Sequence, residues 1–203
     1  MKNQTNLLIA TGNPGKVAEM KTLFHDAPFD LHSLIDFPNI IEVDETGSTF
    51  EENALLKARG YALQTGLWAL ADDSGLEIAA LGNAPGVLSA RYGGDATCFD
   101  QKMTMLLGEM ESTDDERRDA RFVCSMVLVN EAGDLLAKAE GICNGTIADR
   151  PSGNGGFGYD PMFVPAGYEK TFGELSSDVK GEISHRARAS RTIIRYLLAF
   201  TAV

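Results

Sequence analysis

Cysteine, basic charge and long apolar runs are all scarce in this 203-residue chain. Cysteine occurs only at Cys98, Cys124 and Cys143, widely spaced and with no Cys-x-x-Cys pair. Such an odd, scattered set excludes a disulfide framework and offers no zinc-ligand spacing. It suits free thiols in a reducing cytosol. Basic residues are in deficit: 18 Lys and Arg stand against 29 Asp and Glu, for a formal net charge of −11. A general nucleic-acid or membrane-surface binder would carry a basic face, so neither partner is expected. A small anionic ligand remains open, because a few well-placed cations or a divalent ion reverse the potential locally. No segment approaches the length of a membrane span, and "MKNQTNLLIATGN" has too short an apolar run for a signal peptide. The expected location is cytoplasmic. Repeats, low-complexity tracts and linker-like stretches are missing too, so residues 1–203 read as a single domain, or one domain with a lobe.

What remains is an ordinary globular composition, 44% hydrophobic and 23% charged, in a chain long enough to bury a sizeable core. "NLLIAT" (Asn6–Thr11) reads as a buried strand. "NPGKVAEMKTLFHD" has helical spacing at Met20, Leu23 and Phe24, with Pro14 as a first-turn proline after Asn13. "FDLHSLI" (Phe29–Ile35) alternates like a strand. "TFEENALLKARGYALQTG" predicts a helix with Phe50, Ala54, Leu55, Ala58 and Leu63 facing inward and Gly66 at its stop. "LWALA" (Leu67–Ala71) predicts a short central strand, and "FDQKMTMLLGEME" another helix. Two strands joined by a turn at Glu131–Asp134 follow, and the tail "SHRARASRTIIRYLLAF" is helical, with Ile193, Ile194, Leu197 and Leu198 on one face. Interleaved strands and helices predict an α/β architecture, and the long hairpin predicts a mixed rather than purely parallel sheet.

Three stretches carry candidate chemistry. "ATGNPGK" sets Thr11, Gly12, Asn13, Pro14, Gly15 and Lys16 between a strand and a helix. Helix-start amides and the positive end of the dipole favour phosphate there, and Lys16 adds charge. A Walker A loop is excluded: Ala10 stands where its first glycine belongs and Val17 where its Ser or Thr belongs. An ordinary capped turn would use the same letters. In "WALADDSGLEI", Asp72 and Asp73 are expected just beyond a strand end, where open α/β sheets place ligands. Paired carboxylates suit Mg²⁺, and so do Glu42, Asp44 and Glu45 in the preceding acidic loop. A turn and a solvated surface would read the same way. Glu51 and Glu52 fit favourable charges at a helix N-terminus.

"GNGGFG" (Gly153–Gly158) matches G-x-G-x-x-G by letter, but "YDPMF" follows it, and Pro161 is ill suited to the helix that a dinucleotide fingerprint needs. The loop's Phe157, Tyr159 and Asp160 suit closure over a flat ligand, or simply a turn whose aromatics pack into the core. In "KGEISHRARAS", Ser184 is a cap candidate, and His185 and Arg186 put positive charge at a helix start at some cost. A ligand would explain that cost, as would an exposed basic turn. His25 and His32 read as surface or boundary residues.

"TGNPGK", "TFEENALLKA", "ADDSGLEI", "PGVLSARYGG", "GFGYDPMF" and "KGEISHRARA" occur in one order across nearly the whole chain. This set closely resembles the inosine/xanthosine triphosphate pyrophosphatase family. The resemblance implies a mixed, twisted sheet with flanking helices in two lobes around a central cleft, a homodimer, and Mg²⁺-dependent hydrolysis of ITP, dITP or XTP to monophosphate and pyrophosphate. Carried over by position, Thr11 to Lys16 hold phosphates, with Lys57 reaching them as well. Asp73 is metal ligand and proton acceptor, Ser74 touches substrate, and Asp44, then Glu45, joins the metal. Phe157, Gly158, Tyr159, Asp160, Lys180, His185 and Arg186 form the base pocket, while Arg91 is structural. Two alternatives use the same skeleton: a nucleotide sensor without turnover, against which Asp73 and Lys16 count, and a pyrophosphatase for another modified nucleotide.

Overall fold

A computed structural model describes Thr5–Asp114 and Glu116–Thr201. In chain order the main elements are β1 (Thr5–Ile9), α1 (Pro14–Leu23), β2 (Phe29–Ser33), α2 (Phe50–Thr65), β3 (Trp68–Ile78), β4 (Ala84–Pro85), α3 (Phe99–Glu111), β5 (Asp119–Val129), β6 (Leu135–Ile147), β7 (Phe163–Pro165), α4 (Ser177–Ile183) and α5 (His185–Thr201). The strands are ordered β2-β1-β3-β5-β6-β7, with β4 paired to β3. β1 runs parallel to β2 and β3, whereas β3–β4 and β6–β7 are antiparallel, so the sheet is mixed. No helix among the described residues is long and apolar enough to cross a membrane.

Local chemistry sets most boundaries. Asn13 caps α1 by accepting the Lys16 N–H at 3.1 Å, and Pro14 opens the first turn. Thr49 and Glu52 form a reciprocal capping box at the start of α2, and Gly66 ends that helix at φ 68°. The Asn130 side chain accepts the N–H groups of Ala132 and Asp134, closing the turn between β5 and β6.

The described residues group into two compact units. The first takes the chain up to Asp73, Cys124–Gly141 and the segment from Arg186 onward. Strand alternation divides its apolar residues between two faces. Leu7, Ile9, Leu70, Cys124, Met126 and Leu128 pack with Met20 and Phe24 of α1 and Ala189, Ile193 and Leu197 of α5. Leu8, Ala10, Ala69, Ala71, Val127 and Val129 pack with Ala54, Ala58, Tyr61 and Ala62 of α2. The second unit, Ser74–Val123 and Ile142–His185, has its own core, in which Leu76, Ile78, Leu106, Phe122, Met162, Phe163 and Phe172 meet.

Two expectations change here. Leu63 is 65% exposed rather than inward-facing, and Tyr61 and Ala62 take the inner positions. Five residues beyond Ala58, Leu63 has rotated about 140° away from the buried stripe at 3.6 residues per turn. Strand β3 does not stop at Ala71 but runs through Asp72-Asp73-Ser74-Gly75 to Ile78. Pairing with neighbouring strands sustains an extended backbone through letters that locally favour a turn.

Candidate active site

The Thr11–Lys16 turn connects β1 to α1 as anticipated. Buried Thr11 accepts the Asn13 N–H on its hydroxyl at 3.2 Å, while Gly12 and Pro14 are exposed. The Lys16 ammonium lies 3.2 Å from Asp72 Oδ2.

Because both acids lie inside β3, alternation sends them to opposite faces of the sheet. Asp72 points the way of Leu70, toward α1 and α5. It is fully buried, and its Oδ2 accepts from Arg186 Nη2 at 2.9 Å and Nε at 3.3 Å. The same guanidinium binds Glu19 of α1 through Nη1. Burial opposes the charge on Asp72, but Lys16 and Arg186 outweigh it and hold its carboxyl well below the usual carboxylate range. Arg186, expected in a base pocket, is therefore committed to Asp72 and Glu19 in the first unit. These partners also explain how positive charge is tolerated at the α5 start.

Asp73 points the way of Ala71, toward α2. The Lys57 ammonium bridges Asp73 Oδ1 and Glu45 Oε1, each at 2.9 Å. Asn53 donates to Asp73 Oδ2 at 3.4 Å. Burial raises the Asp73 carboxyl above its ordinary range in spite of Lys57 and Lys16. Lys57 is shifted the other way from a simple buried amine: burial pulls its pKa down, but Asp73, Asp72 and Glu45 raise it overall. Of the two loop acids expected to join the metal, Asp44 is exposed, while Glu45 shares the Lys57 ammonium with Asp73. Among the described residues no group of three His, Cys, Asp or Glu side chains gathers as a metal site.

In the second unit, Phe157 is half-buried with the Lys180 ammonium 4.6 Å from its ring centroid. Buried Asp160 accepts from Lys180 and takes the Phe157 N–H at 2.7 Å. Gly156, at φ 69°, is held to glycine because a Cβ there would lie 2.0 Å from Asp160 Oδ2. Gly158 is half-buried beside Phe99. Tyr159 departs from the flat-ligand reading: it is 3% exposed, packs edge-on against Phe99 and donates to the Ser89 carbonyl at 2.9 Å. Burial pushes its phenol above the ordinary range. The His185 ring stacks on Phe122 with centroids 4.7 Å apart. Ser74 is half-buried just beyond Asp73 on β3. The Gly153–Gly158 loop leads into a short 3-10 turn at Asp160–Met162 and then β7, which rules out a dinucleotide fingerprint.

Asn53 and Glu19 were not anticipated. The helical spacing of Asn53 and Lys57, four residues apart on the face carrying Ala54 and Ala58, was the available signal for the former. Nothing local marks Glu19 as the partner of a residue so distant in sequence.

Fold and clusters together define an α/β protein whose first unit sets a lysine-bearing strand–helix turn beside carboxylates paired with Lys16, Lys57 and Arg186. The chain belongs to the Ham1 family, whose model matches residues 7–196. It is 44% identical over 194 residues to a protein of Exiguobacterium sp. named dITP/XTP pyrophosphatase, covering 96% of this chain and 97% of that one. A protein of the same name from Geobacter sulfurreducens is 46% identical over 185 residues, covering 91% and 92%. Among solved structures, a HAM1 protein from Coxiella burnetii matches with a TM-score of 0.88 and 40% identity, covering 98% of this chain and all of that chain. The resemblance drawn from the six motifs thus holds over essentially the whole sequence.

Proposed function

We propose that this chain hydrolyses deaminated purine nucleoside triphosphates (dITP, ITP and XTP) to the nucleoside monophosphate and pyrophosphate, clearing them from the nucleotide pool. The observation that carries the reading is the convergence of Glu45 and Asp73 on one cation position. The activity in the relatives' names supports the substrate class.

The donor set fits Mg²⁺, which is commonly held by one or two carboxylates together with substrate phosphates and water. Glu45 and Asp73 would hold it, and the Lys57 ammonium lies within 2.9 Å of both carboxylates, which supports the reading. When bound, the ion neutralises phosphate charge and makes water more acidic.

The chain's own residues do the rest. The Thr11–Gly15 turn and Lys16 grip the triphosphate, Lys16 exchanging the Asp72 carboxylate for phosphate oxygens. Lys16 then neutralises charge growing on the departing pyrophosphate. Asp73 accepts the proton of the water that attacks the α-phosphorus. Asn53 and Lys57 each hold one oxygen of its carboxylate and fix its orientation. Lys57, released from the acid pair, turns to phosphate. Ser74 contacts substrate. Asp72, gripped by Arg186, keeps the Lys16 end of the site in register.

In the second unit, Phe157 supplies a stacking face, and Lys180 and His185 supply donors for a 6-oxo purine, with Asp160 fixing Lys180. An adenine amino group would leave such donors unpaired, at about 1–3 kcal/mol for each. Tyr159 anchors the loop through Phe99 and the Ser89 carbonyl, next to Gly158. A homodimer in the cytoplasm completes the reading, and the free cysteines suit that compartment.

The test is pyrophosphate release from dITP, XTP, dATP and dGTP with and without Mg²⁺. Mg²⁺-dependent product from dITP and XTP is expected, with Asp73→Asn inactive. Binding without product, or product mainly from dATP, would overturn the reading.

A further inference from the structure

Asn53 moves no proton in the chemistry above, yet one amide group joins the two halves of the cation site. Its side chain is fully buried on α2, one turn before Lys57. Its Oδ1 accepts the Gly47 N–H at 2.8 Å, and its Nδ2 donates to Asp73 Oδ2 at 3.4 Å. Gly47 lies two residues after Glu45, so the backbone of the acidic loop is tied through Asn53 to the Asp73 carboxylate.

The side chain is specified chemically. The position requires an acceptor toward an amide and a donor toward a carboxylate at the same time, which a primary amide provides in one orientation. An aspartate would present like charge to Asp73. The loop side is equally restricted: a Cβ on Gly47 would lie 2.6 Å from Glu52 Cβ and 2.7 Å from Asn53 Oδ1. Glu52 reinforces the same corner by accepting the Ser48 and Thr49 N–H groups at 2.7 and 3.2 Å. The loop is thus pinned immediately after Glu45.

We infer that Asn53 is a positioning residue that sets the relation of Glu45 to Asp73 and thereby the affinity for the divalent cation. The inference rests on the reading of those two acids as the cation site. It takes Asn53 to act on the metal requirement, not on nucleotide binding or the chemical step.

The test uses Mn²⁺ alone as the probe, titrated into the intact protein and followed by the electron paramagnetic resonance signal of the free ion. Wild type, Asp73→Asn, Asn53→Ala and Gly47→Ala are compared. Gly47→Ala breaks the same link from the loop side without touching the apolar core, so it serves even if Asn53→Ala folds poorly. Asp73→Asn should abolish binding. The two linking variants should weaken it by about 10-fold, as loss of a group supporting a metal ligand commonly does. The Mg²⁺ needed for half-maximal dITP hydrolysis should rise by the same factor, with the rate recovered at saturating Mg²⁺ and the nucleotide KM unchanged. Mn²⁺ affinity at wild-type level in both linking variants, with Asp73→Asn unable to bind, overturns the role of Asn53 and leaves the cation site standing. Wild-type affinity in Asp73→Asn overturns the cation site itself. Rates depressed equally at every Mg²⁺ concentration make Asn53 a purely structural residue and also overturn the inference.

Discussion

Asp72 and Asp73 are chemically identical neighbours, and they should respond in opposite ways to the same substitution. Asp72→Asn removes a fully buried charge whose Oδ2 faces Arg186 at 2.9 Å and Lys16 at 3.2 Å. Removing one partner of a buried ion pair costs about 3–5 kcal/mol. The low end applies, because Arg186 keeps Glu19 and the Lys16 side chain, 13% exposed, can turn to water. At roughly 2–4 °C per kcal/mol for a chain of this size, 3 kcal/mol lowers the melting temperature by about 6–12 °C. Asp73→Asn should behave differently. Burial raises the Asp73 carboxyl in the folded state, so its contribution is present below the unfolded pKa and is lost as pH rises through the folded one. Near neutral pH burial opposes its charge and Lys57 favours it, and Lys57 keeps Glu45 when Asn replaces Asp73. Stability should stay within about 1 kcal/mol of wild type, while turnover disappears. Scanning calorimetry without metal, together with a pyrophosphate-release assay, checks both halves. The wild-type advantage over Asp72→Asn should also shrink in acid. The Asp72 pKa is lowered by folding, so its stabilisation is complete above about pH 4 and fades as pH falls toward the folded value. An Asp72→Asn melting point within about 2 °C of wild type at neutral pH, or an equal loss in Asp73→Asn, would refute the assignment of the two acids to opposite faces.

Two further substitutions probe the remaining assignments. Glu45→Gln should raise the Mg²⁺ concentration for half-maximal activity by about 10-fold or more, whereas Asp44→Asn should leave it unchanged; activity titrations with Mg²⁺ decide the order of the loop acids. Tyr159→Phe removes the donor to the Ser89 carbonyl, so it should cost about 1–2 kcal/mol in thermal or denaturant unfolding while leaving kcat and KM for dITP near wild type.

Much of the fold was legible because its signals are local. Asn13-Pro14, the Thr49–Glu52 box and Gly66 mark helix ends within a few residues of chain, and alternating or 3.6-periodic apolar residues mark the segments between. Leu63 was misjudged because a leucine near a helical stripe can still fall outside it. The extension of β3 was not legible, since Asp72-Asp73-Ser74-Gly75 has the composition of a turn and only its strand neighbours hold it extended. That one boundary concealed the chemistry. A strand ending at Ala71 leaves both acids on a loop, while a strand running through them separates them by alternation.

The order of the motifs, by itself, determined the family, the kinds of element and the short roster of acids and cations from which a site could be built. Tertiary structure alone decided their pairing: Asp72 with Arg186 across 114 residues, and Asp73 and Glu45 with Lys57. The physical reason is range. Caps, turns and periodicity act between residues near in sequence, whereas a carboxylate's burial and partners depend on which strand face it occupies and which helix covers that face.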